Sequence, residues 1–313
     1  MKISVIIVTQ NRKDDLKLTI SEFLKQTYQD KEIIVIDNAS NDGTSQMMKD
    51  NFSEIKYLWL PDNIDILAIN LGVEMSDGDI IWRTDDDSHP ENIKVFEDVI
   101  NIFNHYPEID VIATEDIEVR QNYQIWKWYP LKINKNKIPP AGFVSNIFPG
   151  TGAAIRKKVF NKIGGFWNWG FEELDFCTRA IIAGFNIRYF PNIRVLHYAT
   201  TSDRKNPNRW IKHTKQFMRY TWKYFPFFNA FFRTFLIMFS QLIIGIAMLL
   251  PISALIEGFF SSIAIIFSTF RNERQPIPKD KIKDITLGIN LFKTQIIFFK
   301  NVFSRKMNKW AKK

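Results

Sequence analysis

The sequence predicts an α/β fold, a mostly parallel sheet flanked by helices, followed by a basic, apolar helical segment. Three observations predict it. Short apolar runs without helical flanks alternate with segments of helical periodicity over the first two hundred residues. Acidic residues stand where those runs end, Asp37 after the second and Asp85, Asp86 and Asp87 after the fourth. The charge balance then reverses: residues 1–200 hold 22 Lys/Arg against 28 Asp/Glu, net −6, whereas residues 201–313 hold 20 against 5, net +15.

Taken in order, Ile3 to Val8 is an apolar run that opens into a polar loop at Thr9-Gln10-Asn11-Arg12, the pattern of a buried strand. Leu16, Ile20, Phe23, Leu24 and Thr27 then recur at helical spacing, and Glu32 to Ile36 is a second buried strand ending at Asp37. Strand, helix, strand requires a parallel crossover. A polar turn over Asn38 to Thr44, a helix to about Asn51, a strand at Tyr57 to Leu60, a helix through Leu71 and a strand at Ile80 to Thr84 repeat the unit. Ligands of such sheets sit beyond the carboxyl ends of the strands. Asp37 and the Asp85 to Asp87 cluster occupy such ends. A triple Asp is either a solvated acidic turn or a site for a hard divalent cation that takes oxygen ligands and shares them with phosphates. Trp82 and Arg83, just before it, are placed to line a ligand pocket, with Arg83 alternatively a counter-ion.

Further along, Glu172 and Glu173 follow Phe166-Trp167-Asn168-Trp169-Gly170-Phe171 and open a helix in which Asp175 and Arg179 form an i, i+4 pair. A strand over Ile187 to Phe190 and then Pro191 lead to His197 in Val195-Leu196-His197-Tyr198. Lys132 to Pro140 reads as a polar loop able to act as a lid.

Several ordered motifs now carry a resemblance. They are Ser4-Val5-Ile6-Ile7-Val8-Thr9-Gln10-Asn11-Arg12, Ile36-Asp37-Asn38-Ala39-Ser40-Asn41-Asp42-Gly43-Thr44, Gly78-Asp79 leading to Asp85-Asp86-Asp87, Gly150-Thr151-Gly152, Gly164-Gly165-Phe166, and Glu172-Glu173-Leu174-Asp175 with Arg179. Over about residues 1–200 the chain resembles the family 2 glycosyltransferases, nucleotide-sugar enzymes of GT-A fold. The resemblance implies a nucleotide site of Thr9, Asn11, Arg12, Asp37, Asn63, Asp85 and Asp86, with Asp37 on the nucleobase edge and Asp86 near the ribose. It implies that Asp87, joined by His197, binds a divalent metal, Mn²⁺ or Mg²⁺, through which the diphosphate is held. The acidic pair implies the catalytic base, Glu173 with Glu172 beside it, in an inverting transfer to an acceptor hydroxyl. From the residues alone, Asp37 can also be read as an N-cap or Asx-turn residue. Glu172 and Glu173 can also be read as carboxylates favoured by a helix N-terminus, and His197 as a structural histidine. The chain departs from the family at Gln10, where many members carry an aromatic residue, at Ile69, where many carry Arg, and at Glu173, where Asp is usual.

The tail surrounds an apolar block, Thr234 to Phe270, whose single charge is Glu257. Basic flanks around such a block favour an anionic membrane surface over nucleic acid. Thr234 to Ile256 would be about 34 Å long as a helix, enough for one crossing. Eight Lys/Arg before it (204–233) and twelve after it (271–313) favour the same, cytoplasmic side. Pro251 and Glu257-Gly258 divide the block into arms of about 18 residues, marginal for a full hairpin. A re-entrant or interfacial helical hairpin is therefore expected, the alternative being packing on the catalytic domain or within a homo-oligomer. The flanks match it: Trp210, Phe217 and Tyr224 oppose Lys212, Lys215, Arg219 and Lys223, and Ile285, Ile289, Phe292, Ile296, Phe299 and Phe303 form a stripe with Lys293 and Lys300 outside it. Cys177 is the single cysteine, consistent with a reducing compartment, and Met1-Lys2 with a short apolar run reads as a first strand, not a signal peptide.

The resulting expectation is a catalytic domain over 1–203, with a nucleotide-sugar half (1–115) and an acceptor half (116–203), and a membrane-association region over 204–313. It transfers a sugar from a nucleotide-diphosphate sugar to a lipid-linked or growing surface glycan at the cytoplasmic face of the membrane. A polyprenyl-phosphate sugar synthase is the nearest alternative, and a non-catalytic nucleotide-binding scaffold a different class. A sugar nucleotidyltransferase is disfavoured, because no glycine-rich basic loop for a triphosphate is present.

Overall fold

The computed structural model describes residues 1–120, 133–167, 170–199 and 206–287. They divide into two compact units, one within Met1–Ala199 and one beyond it.

In the first unit β1 (Ile3–Thr9) leads through α1 (Lys13–Leu24) to β2 (Lys31–Asp37), and α2 (Thr44–Asn51) to β3 (Lys56–Trp59). A 3₁₀ turn at Asp65–Leu67 and α3 (Ala68–Met75) lead to β4 (Ile80–Asp85), a shorter and later helix than the spacing predicts. β5 (Ser88–Pro90), α4 (Val95–His105), β6 (Ile109–Glu118), β7 (Phe143–Val144), β8 (Ala153–Arg156), α5 (Lys157–Ile163), α6 (Glu172–Ile182) and β9 (Asn186–His197) complete it. Among the described residues the sheet order is β3-β2-β1-β4-β8-β6-β9-β5, with β7 on β9. The first four strands are parallel, as the crossovers require. β8 then inserts antiparallel between β4 and β6.

Side chains alternate across the strands, so Ile3, Val5 and Ile7 join Ile80 and Trp82 in one core beneath α1 and α4. Trp82 is fully buried there, its ring 5.1 Å from Phe96 and 6.4 Å from Phe23. It therefore does not line a ligand pocket as expected; period-two alternation sends it inward while Arg83 faces the other side. Pro191 does not end a strand either. β9 runs continuously to His197, and Pro191 falls within the register shift between the pairs Ala113↔Tyr189 and Glu115↔Arg194, where no ladder bond is demanded of it.

The second unit contains α7 (Pro207–Tyr224), α8 (Phe227–Ala247), α9 (Ile252–Asn272), a 3₁₀ turn at Lys279–Lys281 and α10 (Ile282–Thr286). Asn206 caps α7, its side chain accepting from the Asn208 N–H, with Pro207 at the first helical position. Trp210, Phe217 and Tyr224 are buried as their spacing predicts, but Lys223 is only 2% exposed, its ammonium 4.7 Å from the Tyr224 ring centre. The long stem lets a lysine follow apolar surface in this way. Pro251 separates α8 from α9 as the N-cap of α9, whereas Glu257 and Gly258 interrupt nothing. Because α8 begins at Phe227 and takes in Arg233, each arm has 21 residues and is long and apolar enough to cross a membrane by length and composition. Ile285 is buried; Ile289, Lys293 and the rest of that stripe lie outside the described residues, as does Lys132 of the proposed lid.

Candidate active site

Register builds the site. β1 pairs β2 with Thr9 beside Asp37, and pairs β4 with Val8 beside Asp85, so the carboxyl ends of all three strands form one rim. Antiparallel pairing of β5 with β9 sets Ser88 opposite His197, and the Tyr198 N–H donates to the Asp87 carbonyl (2.8 Å). That ladder brings His197, 110 positions along, to Asp87.

Two clusters result. In the first, Arg12 donates to Asp86 Oδ1 (2.9 Å), Asp87 Oδ2 (2.7 Å) and Asp15 Oδ2 (3.0 Å), while the Thr9 hydroxyl donates to Asp86 Oδ2 (2.8 Å). Asp86 and Asp87 are buried at 4% and 5% exposure. Burial pushes the Asp86 carboxyl up to about 7 despite Arg12. Burial acts the same way on Asp87, but His197 and Arg12 together outweigh it and bring Asp87 down to about 2. His197 stands with Nε2 3.6 Å from Asp87 Oδ1 and Nδ1 3.4 Å from Asp116 Oδ1 and 3.9 Å from Glu118 Oε2. Burial would favour its neutral form, yet these carboxylates raise it to about 10.

In the second cluster Arg83, 2% exposed, joins Asp85 Oδ1 (Nη1, 3.1 Å) to Glu173 Oε1 (Nη2, 3.3 Å). Gly150 lies directly over this bridge, where a side chain would overlap the Arg83 guanidinium and Glu173, and Thr84 and Ser88 donate to the Thr151 carbonyl (2.8 and 2.9 Å). The Gly-Thr-Gly motif thus seats the bridge. Glu172 accepts the Gly170 N–H (2.5 Å), and burial with Glu173 beside it raises its pKa. Burial also raises Glu173, against the pull of Arg83.

Asp37 stands apart from both clusters. It is fully buried, accepting the Ser40 N–H (2.8 Å) and the Tyr57 hydroxyl (2.6 Å). Its turn-forming role is present, and a direct contact with a nucleobase is not open to it in this conformation. Asn11 accepts the Asn41 N–H and Asn63 donates to Gln10, both 2.8 Å, which ties the loop after β1 to those after β2 and β3 at the rim. Asn11, Ala39 and Phe171 all have positive φ (53°, 64° and 65°), so the loops at these ends are held in sparsely populated conformations. The sequence reading missed Tyr57, Asp116 and Glu118, and left the role of Arg83 open. The one local signal was acidic alternation, Asp116 and Glu118 on the same face of a strand end.

The sequence profile described as glycosyl transferase family 2 matches residues 4–164. The chain belongs to this family. Its fold is a GT-A fold. Among curated proteins it is similar to the probable glycosyltransferase YdaM of Bacillus subtilis (strain 168), 27% identical over 221 residues, covering 61% of this chain and 49% of the relative. It is also similar to an uncharacterized glycosyltransferase of Rickettsia prowazekii (strain Madrid E), 28% identical, with 52% and 53% covered. The chain spans about half the length of these relatives. Among solved structures it is similar to TarS of S. aureus in complex with UDP-GlcNAc (TM-score 0.63, 14% identity, 98% of this chain and 92% of that one). It is likewise similar to the mannosyltransferase PcManGT of Pyrobaculum calidifontis in complex with GDP-Man and Mn²⁺ (TM-score 0.56, 14% identity, 100% and 88%). At these identities the likeness is one of fold.

Proposed function

We propose that this family 2 enzyme transfers a sugar, with inversion, from a nucleotide-diphosphate sugar to a hydroxyl of a lipid-linked or growing surface glycan at the cytoplasmic face of the membrane. The observation that carries it is the Arg83 bridge between Asp85, in the carboxylate cluster, and Glu173, in the acidic pair. One rim thereby offers a place for a charged donor and, beside it, a group able to take a proton. TarS with UDP-GlcNAc and PcManGT with GDP-Man support the donor class.

The residues fit a divalent cation of the oxygen-seeking kind. Among the described residues no three His, Cys, Asp or Glu side chains converge on one point, so the protein would supply two ligands, Asp87 and His197, and the diphosphate the rest. Their 3.6 Å separation is too long for a hydrogen bond and is one that two ligands about 2.1 Å from a single ion can have. Asp116 on the far nitrogen of His197 orients the ring, as carboxylates behind metal-bound histidines do. When bound, the cation neutralises charge gathering on the departing diphosphate.

The protein's own groups do the rest. Arg12 holds Asp86 and Asp87 and lies near the phosphates; Asn11 and Asn63 present polar edges to the nucleoside; Asp37, under Tyr57, fixes the Asn38 to Ser40 loop against which the base sits. Glu173 takes the acceptor proton as the hydroxyl attacks the anomeric carbon opposite the leaving nucleotide. Arg83 aims Glu173 and opposes the burial that raises its pKa, whereas Glu172, raised by burial to about 8, is held by the Gly170 N–H. A thermal-shift screen against UDP, GDP, dTDP and their sugars, with and without Mn²⁺, tests this: one donor should stabilise the protein in a Mn²⁺-dependent way. No stabilisation by any nucleotide overturns it.

A further inference from the structure

Within the second unit, α7 lies against both arms of the apolar hairpin from end to end. At one end Trp210 and Ile211 pack with Leu250 and Ala254 at the turn between α8 and α9, and the Trp210 ring occupies the space beside Gly245 and Gly258. Midway, the Thr214 hydroxyl donates to Gln241 Oε1 (3.3 Å). At the other end the Trp222 indole donates to Thr234 Oγ1 (2.8 Å), its ring centre is 5.8 Å from that of Phe270, and Arg219 holds Glu273 (2.7 Å). The three helices share one axis, α7 antiparallel to α8 and parallel to α9. Lys212 and Lys215 lie along α7 between the two ends, and Arg219 near the second of them.

The outward faces of α8 and α9 are apolar over the same length. Phe228, Phe232, Phe239, Ile252 and Phe267 on the helices, and Leu249 in the turn between them, are each more than 60% exposed. The opposite faces are different: Ser240, Gln241, Ser262 and Thr269 are buried there.

We propose that this unit lies in the plane of an anionic membrane surface, with the outward faces of α8 and α9 sunk to the acyl boundary and α7 behind them at headgroup level. The inference rests on the membrane association proposed above and fixes its orientation. An upright hairpin would carry Lys212, Lys215 and Arg219 through the hydrocarbon beside it, because α7 shares its axis, and charge at that depth is costly. A one-sided apolar stripe with basic residues behind it is the pattern of helices that lie in an interface. The net +15 of residues 201–313 complements anionic lipid.

The test uses the full chain with single cysteines in place of Phe232, Leu249 or Phe267, each carrying an NBD label, on vesicles of phosphatidylcholine with phosphatidylglycerol. Buried Cys177 stays unlabelled. Quenching by nitroxide lipids should report one common shallow depth, and dithionite added outside should reduce all three probes. An upright hairpin would separate Leu249 from Phe232 by about 25 Å along the helix axis, so a depth gradient, or protection of Leu249 alone, overturns the in-plane orientation and leaves membrane association standing. No vesicle-induced rise in emission at any position refutes the association itself. High emission without lipid from a sedimenting oligomer would mean that a second copy covers the face, which also overturns the proposal.

Discussion

Arg12→Met removes the cation that holds two buried carboxylates, and its cost follows from the geometry. Arg12 is 28% exposed and touches Asp86 at 5% and Asp87 at 6% side-chain exposure. Removing one partner of a buried ion pair costs about 3–5 kcal/mol, because the other charge is left uncompensated. The water-facing part of Arg12 screens some of this, leaving roughly 2–4 kcal/mol. For a unit of this size each kcal/mol lowers Tm by about 2–4 °C, so the metal-free variant should melt roughly 4–16 °C lower at pH 8. The pH dependence has a definite sign. Asp86 has its folded pKa raised, from 3.8 to about 7, so its protonated form favours folding, and that contribution is lost as pH rises through 7. Without Arg12 the ionised form is costlier still, and the loss above pH 7 deepens. At pH 5 Asp86 carries its proton in both proteins, so the gap in Tm should narrow without closing, since Asp87 stays ionised and keeps His197. Differential scanning calorimetry at pH 5 and pH 8 measures this directly. An equal loss at both values would show that Arg12 acts through packing, and the charge reasoning would be wrong.

Glu173→Gln keeps shape but cannot accept a proton, so kcat should fall about 10²-fold or more with donor binding intact, and Glu172→Gln should do less; the opposite ranking moves the base to Glu172. Asp87→Asn should remove the Mn²⁺-dependent part of nucleotide affinity in calorimetry, and His197→Ala should show a weaker form of the same defect; an effect of His197→Ala on Tm alone would make it structural. Tyr57→Phe deprives buried Asp37 of a donor at 2.6 Å and should cost about 1–3 kcal/mol, read as a lower urea midpoint with weaker nucleotide binding. Gly258→Val forces a branched side chain into the Trp210 ring and should destabilise the C-terminal unit by about 1–3 kcal/mol, while unchanged thermal stability would contradict the packing described for α7.

The sequence by itself determined the α/β fold, the strand ends and the division of charge, because these rest on short-range pattern. Period two against period 3.6 separates β1 from α1, and right-handed parallel crossovers put the ends of β1, β2 and β4 on one rim, so Thr9, Asp37 and Asp85 to Asp87 were legible before any coordinates. What joins those residues was not legible. Arg83 meets Glu173 because β8 enters antiparallel beside β4 and delivers Gly150 and Thr151 over the bridge; His197 meets Asp87 because β5 pairs with β9; Asp37 is covered by Tyr57 from β3. Each depends on register between segments far apart in the chain, which local propensity does not encode. The tail divides the same way. Its apolar run and basic flanks were plain in composition, but hydropathy counts a helix all round, whereas burial is one-sided. Only packing showed that α7 covers one face of both arms and leaves the other, from Phe228 to Phe267, exposed to its surroundings.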